Sequence, residues 1–397
     1  MKKLFLRLIG ALVLVALVAT VISAVISVTE NNHPVTDTSV EAVEITDIGG
    51  TCKLWFSELS NEGKHAYNLI LNSIYSMPEE IEINRIDSET VDEVFYALMS
   101  DNPDLFFVGR KCTIRTVGAR TWFSIDYVVS KEEYLQMKKE LDAACQEVIG
   151  SLSDKTDSWQ TELEIHDYII DNCIYSEENT ALDSTAYGAL VSGKAACEGY
   201  SKAAKLLLDA AGVENTVISG RAENEEGQGA PHMWNLVRLG DDWYHLDCTW
   251  DDPVDESGKQ TKSHNYFNLN DEMISKTHSE FSKKPQCDST DENYFVKTGA
   301  YFEKYDRSDE EGVAAIIAKE TDNGKETVCL CFADREAFDN AVGELITKER
   351  IYSVLELAKG SAETAFLTNE IGYFVDEDRL ILALEPKLIT ERKNIYG

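Results

Sequence analysis

The stretch from Gly193 to Gly212, GKAACEGYSKAAKLLLDAAG, leaves the chain little choice of local structure. Ala203, Ala204, Leu207, Leu208 and Ala211 recur at helical spacing, and Gly212 stands where a C-terminal helix cap belongs. The first turn of that helix carries Cys197. Unpaired backbone N–H groups and the positive end of the helix dipole then face the thiol, an environment that favours a thiolate.

Downstream, the run from Pro231 to Pro253, PHMWNLVRLGDDWYHLDCTWDDP, reads as a β-hairpin carrying His232 and Asp247. A two-residue type II′ turn wants Gly at its first position, so Gly240-Asp241 pairs Leu239 with Asp242 and sets Asp247 opposite Trp234. His232 lies two residues from Trp234 and on the same face. The imidazole and the carboxylate become diagonal cross-strand neighbours, close enough for the acid to orient the ring. A three-residue turn would put them on opposite faces. Cys, His and Asp in this order are the parts of a thiol acyl-transfer site.

These segments together resemble the transglutaminase-like superfamily, in particular its bacterial members. The resemblance rests on CEGYSKAAKLLLDAAG from Cys197, HMWN from His232 and WYHLDCTWDDP from Trp243. It extends upstream to the segments at Ile165 (IHDYI) and Ala186 (AYGAL), and downstream to that at Asn265 (NYFNL), covering residues 160–285. The segments FYAL from Phe95 and NPDLFFV from Asn102 also look like the α+β region that precedes the domain in such proteins. The resemblance implies a papain-like α+β core with Cys197 as nucleophile, His232 as base and Asp247 as orienter. It leaves the reaction open among cross-linking acyltransferases, peptidases, amidases and members without activity.

Other residues compete for roles at this site. His245 shares a sheet face with Asp247, but it sits two residues away on one strand, where side chains run parallel and bond each other poorly. Tyr187 is a candidate second oxyanion donor beside the Cys197 N–H. Trp234 and Trp243 are candidates to wall the site, with a core role as the alternative. His166, isolated on a predicted helix, is expected to pack or cap. Cys248 should point away from Asp247, to the opposite face. Asp251, Asp252 and Asp255 lack the twelve-residue spacing of a calcium loop, and a turn ahead of Pro253 accounts for them. No cofactor or metal is implied.

The remaining chain is organised around this centre. Lys2, Lys3 and Arg7 precede an uncharged apolar run from Leu8 to Val28, long enough to span a bilayer with the positive flank inside. Residues 1–28 are therefore expected to be a signal-anchor, with a cleaved signal peptide as the alternative, and residues 29–51 a polar linker. The catalytic part would then lie outside the cell membrane, or be secreted after cleavage. Residues 52–155 read as an N-terminal α+β unit: helices at Leu54–Met77, Thr90–Met99 and Lys131–Ile149, and strands at Leu105–Val108, Cys112–Val117 and Trp122–Val129. Residues 156–289 form the catalytic domain, opening with a helix at Trp159–Asn172 and adding a strand at Tyr266–Leu269. Residues 290–397 read as a C-terminal α+β unit. Its expected strands are Gly312–Ala318, Thr327–Phe332, Thr364–Leu367, Ile371–Val375 and Arg379–Leu384, with helices at Asp334–Ile346 and Glu349–Ala358.

Composition narrows the partners. A net charge of −34 opposes binding to nucleic acid, which needs clustered Lys and Arg. Nine cysteines form no CxxC pair, and an odd number in an exported chain leaves at least one thiol free. Cys329 and Cys331 lie two apart on a predicted strand, and both read as small core residues. The expected function is an extracytoplasmic thiol-dependent acyl-transfer enzyme acting on peptide, isopeptide or glutamine amide bonds. Hydrolysis is favoured over cross-linking, because cross-linking needs a dry tunnel and an amine site that no motif declares. Substrates would be proteins or peptides, including cell-wall peptide. The alternative is a non-catalytic surface adaptor on the same scaffold.

Overall fold

The computed structural model describes residues 52–178, 180–223, 229–253 and 262–389. The Leu8–Val28 run and the 29–51 linker lie outside the described residues, among which no helix is long and apolar enough to cross a membrane. The chain divides into two compact units that meet in sequence at Ser289 and Thr290.

The first unit begins with α1 (Leu54–Glu58), α2 (Asn61–Ile74), β1 (Ile81–Asn84) and α3 (Ser88–Asp101), then β2 (Val108–Val117), β3 (Arg120–Tyr127) and α4 (Lys131–Ser151). The single helix expected over Leu54–Met77 is broken because the Ser60 hydroxyl accepts the Gly63 N–H and starts a new helix after an extended Leu59. Asp87 caps α3 in the same way, and Ser130 with Glu133 forms a capping box on α4. The antiparallel sheet runs β1-β3-β2.

The chain continues through α5 (Ser158–Asn172), β4 (Ile174–Tyr175), α6 (Ala186–Leu190), β5 (Lys194–Ala195) and α7 (Cys197–Ala211). After α7 come β6 (Asn215–Glu223), β7 (Gly229–Leu239), β8 (Asp242–Leu246), β9 (Phe267–Leu269), α8 (Asp271–Ile274) and β10 (His278–Ser279). The five-stranded sheet has the order β10-β6-β7-β8-β9, so the expected strand near Tyr266 does join the hairpin's sheet. Gly212 ends α7 as read from the sequence. Leu239 faces Asp242 across the hairpin, and Gly240 has φ 63 while Asp241 keeps a negative φ, as a type II′ turn demands. Residues 52–155 and the segment after 156 share one core: Ile218, Trp234, Leu236 and Cys287 belong to the same buried cluster as Phe95, Phe106 and Phe107.

The second unit holds α9 (Tyr294–Thr298), β11 (Tyr301–Phe302), α10 (Glu310–Asp322), β12 (Val328–Phe332) and α11 (Arg335–Ala341). A π-helical segment (Val342–Thr347), α12 (Ile351–Lys359), β13 (Phe366–Asp376) and β14 (Ile381–Leu388) complete it. Its sheet runs β11-β12-β14-β13. The strand expected at Gly312–Ala318 is instead the middle of α10. Val313, Ala314, Ile317, Ala318 and Thr321 are buried at helical spacing, and Glu310 and Glu311 occupy the first turn, where the dipole favours acids. The two strands expected at Thr364–Leu367 and Ile371–Val375 are one strand, β13, with an irregularity between Phe366 and Ile371. Cys331 is buried in β12, while Cys329 is only partly so.

Candidate active site

Cys197 opens α7, and Ala196 at the N-cap offers no side chain to satisfy the first turn. The Cys197 N–H, at the first position of the helix, has no intrahelical acceptor. A side chain at Gly199 would run into Asp183 O at 2.5 Å and Ala195 Cβ at 2.7 Å, so only glycine lets the helix start this close to the preceding segment. The Ser201 hydroxyl bonds the carbonyls of Cys197 and Met233, each at 2.8 Å, and Asn235 Nδ2 donates to the Ser201 carbonyl at 3.0 Å. These bonds lay the helix of Cys197 on the strand that carries His232.

His232 and Asp247 meet as the hairpin register requires. Nε2 of His232 lies 2.6 Å from Oδ2 of Asp247, and both side chains are buried. Oδ1 accepts the backbone N–H groups of Thr249 at 3.0 Å and Trp250 at 3.2 Å. Burial alone would lower the basicity of His232, but the Asp247 carboxylate and a hydrogen bond with Cys197 outweigh it and push the pKa up to about 10. Burial would raise Asp247, yet His232 and His278 hold it well below the usual carboxylate range. Cys197 keeps part of its surface open, whereas Cys248 is buried and its thiol is pushed up well above the ordinary value, chiefly by desolvation. The sequence-derived trio is thus brought together around His232, whose imidazole bonds both Asp247 and Cys197.

The competing residues fall elsewhere. His245 is buried, and Trp234 Nε1, which can only donate, bonds its Nδ1 at 2.9 Å. The ring proton must therefore sit on Nε2, facing Asp271 at 2.8 Å. Burial is the main cause that lowers its pKa to about 4. The same tautomer keeps Nε2 from ligating a metal, although His245, Asp271 and Cys287 lie close together. The Tyr187 hydroxyl bonds Glu140 Oε2 at 2.6 Å and its ring stacks on Phe106, so it supplies no oxyanion donor. Trp234 is wholly buried, stacked beside His232 with centroids 5.8 Å apart, and Trp243 packs against the core cluster, so neither forms an open wall.

His166 is buried with its nitrogens 3.0 Å from Asp167 and 3.2 Å from Asp251. Burial opposes its charge, but the two carboxylates prevail and raise its pKa to about 9, so the ring packs in an ion-paired position between α5 and the loop of Asp251. Asp251 also accepts the Tyr266 N–H and the Ser263 hydroxyl, and Asp252 accepts the Tyr200 hydroxyl at 2.7 Å. These acids tie the loop to α5 and α7. Asp255 lies outside the described residues.

Sequence reasoning missed several residues. Trp250 is half-buried with its ring 6.1 Å from that of His232. Arg110, at the irregularity in β2, pairs with Glu198 at 2.9 Å, and Lys202 reaches the same carboxylate at 2.8 Å. The charge of the acid next to Cys197 is thereby paired. His278 bonds Asp247 from a two-residue strand that no periodicity announces.

Residues 142–248 match the model of the Transglutaminase-like superfamily, so this part of the chain carries a domain of that family. No curated protein matches the chain. Among solved structures it is similar to one described as the crystal structure of a TGase, at 18% identity over 49% of this chain and 56% of that one, TM-score 0.26. It is also similar to a "Putative Cysteine Protease" from Cytophaga hutchinsonii, at 15% identity over 33% of this chain and 52% of that one, TM-score 0.23. A third, a "putative protease" from Parabacteroides distasonis, shares 13% identity over 36% of this chain and 33% of that one, TM-score 0.21. The chain thus spans between a third and somewhat over half the length of these structures.

Proposed function

We propose that the transglutaminase-like domain in this chain is a thiol acyl-transfer enzyme in which Cys197, His232 and Asp247 act on a peptide, isopeptide or glutamine amide bond. The observation that carries the reading is the buried His232–Asp247 pair at 2.6 Å, hydrogen-bonded through the imidazole to a cysteine at a helix start. The Cys197 thiolate attacks the acyl carbon, and the Cys197 N–H receives the oxyanion. His232 gives its proton to the leaving amine, while Asp247 stays ionised and holds the ring. Water or an amine then opens the thioester and returns the thiolate. Hydrolysis is the favoured outcome.

Stoichiometric alkylation of Cys197 by iodoacetamide near pH 6, lost in His232→Ala, is the expected result. Equal slow labelling of both proteins would favour a non-catalytic adaptor instead. Incubation with a glutamine-containing protein and a labelled primary amine tests the direction: deamidation or cleavage is expected, and amine incorporation without either would make the chain a cross-linker. The Leu8–Val28 run supports a membrane-anchored chain with its site outside the cell, acting on protein or cell-wall peptide. A mature N-terminus near residues 24–29, read by mass spectrometry, would replace the anchor with secretion.

A further inference from the structure

Oδ2 of Asp247 receives two imidazoles, Nε2 of His232 at 2.6 Å and Nε2 of His278 at 3.1 Å. His278 is 1% exposed, and β10 holds it by pairing with Ala222 of β6. An ionised carboxylate has no proton to give, so Nε2 of His278 must carry one. Nδ1 is left to accept the Thr277 hydroxyl at 2.9 Å. The donor that Asp247 requires is thus at Nε2, and burial, the leading cause, lowers the ring's pKa against the pull of Asp247, which favours the neutral form.

The groups facing His278 are His232 and Trp234 from β7, His245 from β8, Asp247 and Trp250 beyond β8, and Tyr266 ahead of β9. Asp247 supplies the negative charge among them. With two donors on one oxygen and two backbone N–H groups on the other, the carboxylate can neither rotate nor lend its whole charge to one partner.

We propose that His278 is a positioning residue of the Cys197 site, a neutral imidazole that pins Asp247 and divides its carboxylate, tempering the charge on which His232 draws. This rests on the reading of Cys197, His232 and Asp247 as an acyl-transfer centre. A tempered His232 still supports the thiolate yet releases its proton more readily to a leaving amine.

The test is nitrogen and carbon NMR of labelled histidines in the full chain in detergent, where seven imidazoles must be assigned. The wild-type protein should show His278 protonated at Nε2. His278→Phe, which removes the donor, should raise the His232 midpoint by about one unit, the size of one hydrogen bond to a charged group. His278→Gln keeps an N–H donor and should return the midpoint to near the wild-type value. A His278 ring protonated at Nδ1 instead, an unmoved His232 in a folded His278→Phe protein, or equal shifts in both variants would overturn the assignment. The tautomer reading needs no variant, so it decides the matter even where His278→Phe does not fold. The titration also reads no turnover. A chain without any acyl-transfer activity would end the enzymatic reading and leave the shared carboxylate standing.

Discussion

Asn235 donates its side-chain amide to the backbone carbonyl of Ser201, 3.0 Å away, and so sets the spacing between the helix of Cys197 and the strand of His232. Asn235 is 1% exposed, and removing its amide leaves a buried carbonyl unanswered. Asn235→Ala should cost about 1–3 kcal/mol of stability in a denaturant titration. It should also slow Cys197 alkylation more than an equally destabilising substitution remote from the site. Equal slowing in both would reduce Asn235 to a packing residue.

The three site residues should contribute unequally. Cys197→Ala should abolish turnover, since no other group can form the thioester, and His232→Ala should come close to that. Asp247→Asn retains an acceptor for the ring but loses the charge, leaving a small residual rate. Steady-state assays on any accepted amide substrate check the order. A chain in which Asp247→Asn equals wild type would show that the charge is not used.

pH dependence follows from the signs of the shifts. His232 is raised from 6.5 to about 10, so its stabilising contribution is whole below pH 6.5 and is lost as pH climbs toward 10. Asp247 is depressed from 3.8, so its contribution is whole above that value and is lost as pH falls through its lower folded-state pKa. The difference in Tm between wild type and Asp247→Asn should therefore be greatest between about pH 4 and 6.5 and shrink on the alkaline side. A difference that stays flat to pH 10 would contradict a charged pair.

Cys248→Ser should act on stability and spare the chemistry. The side chain is 2% exposed, and a hydroxyl there exchanges a weakly polar sulfur for a group that demands a hydrogen bond. A loss of about 1–3 kcal/mol with unchanged labelling stoichiometry at Cys197 is expected. Inactivity in a folded Cys248→Ser protein, with alkylation still normal, would give Cys248 a part in turnover.

Much of the site was legible because its parts are local. Gly240 dictates the turn, the turn dictates the register, and the register brings His232 to Asp247; Gly212 and the Ala/Leu spacing likewise delimit the helix of Cys197. His278 was not legible, since its strand is two residues long and its partner Asp247 lies 31 residues away. Tyr187 misled because neighbourhood in sequence said nothing of Glu140, which takes its hydroxyl. In the second unit, the run from Val313 to Ala318 lacks turn residues inside it and fits either period. Burial at Ile317 and Thr321 decides for the helix.

The ion pair between Arg110 and Glu198 bears on how this site can be inherited or transplanted. The matched family segment starts at residue 142, yet the cation that neutralises the acid beside Cys197 comes from β2, and Trp55 Nε1 donates to the Val217 carbonyl from still earlier in the chain. A fragment trimmed to the family boundaries would keep Cys197, His232 and Asp247 but take Arg110 away from Glu198, leaving it Lys202 and Ser184. On the proposed reading, a portable form of this site runs from the first helix to His278, and recombination that cuts between residues 110 and 198 separates Glu198, the acid beside Cys197, from its Arg110 counter-charge.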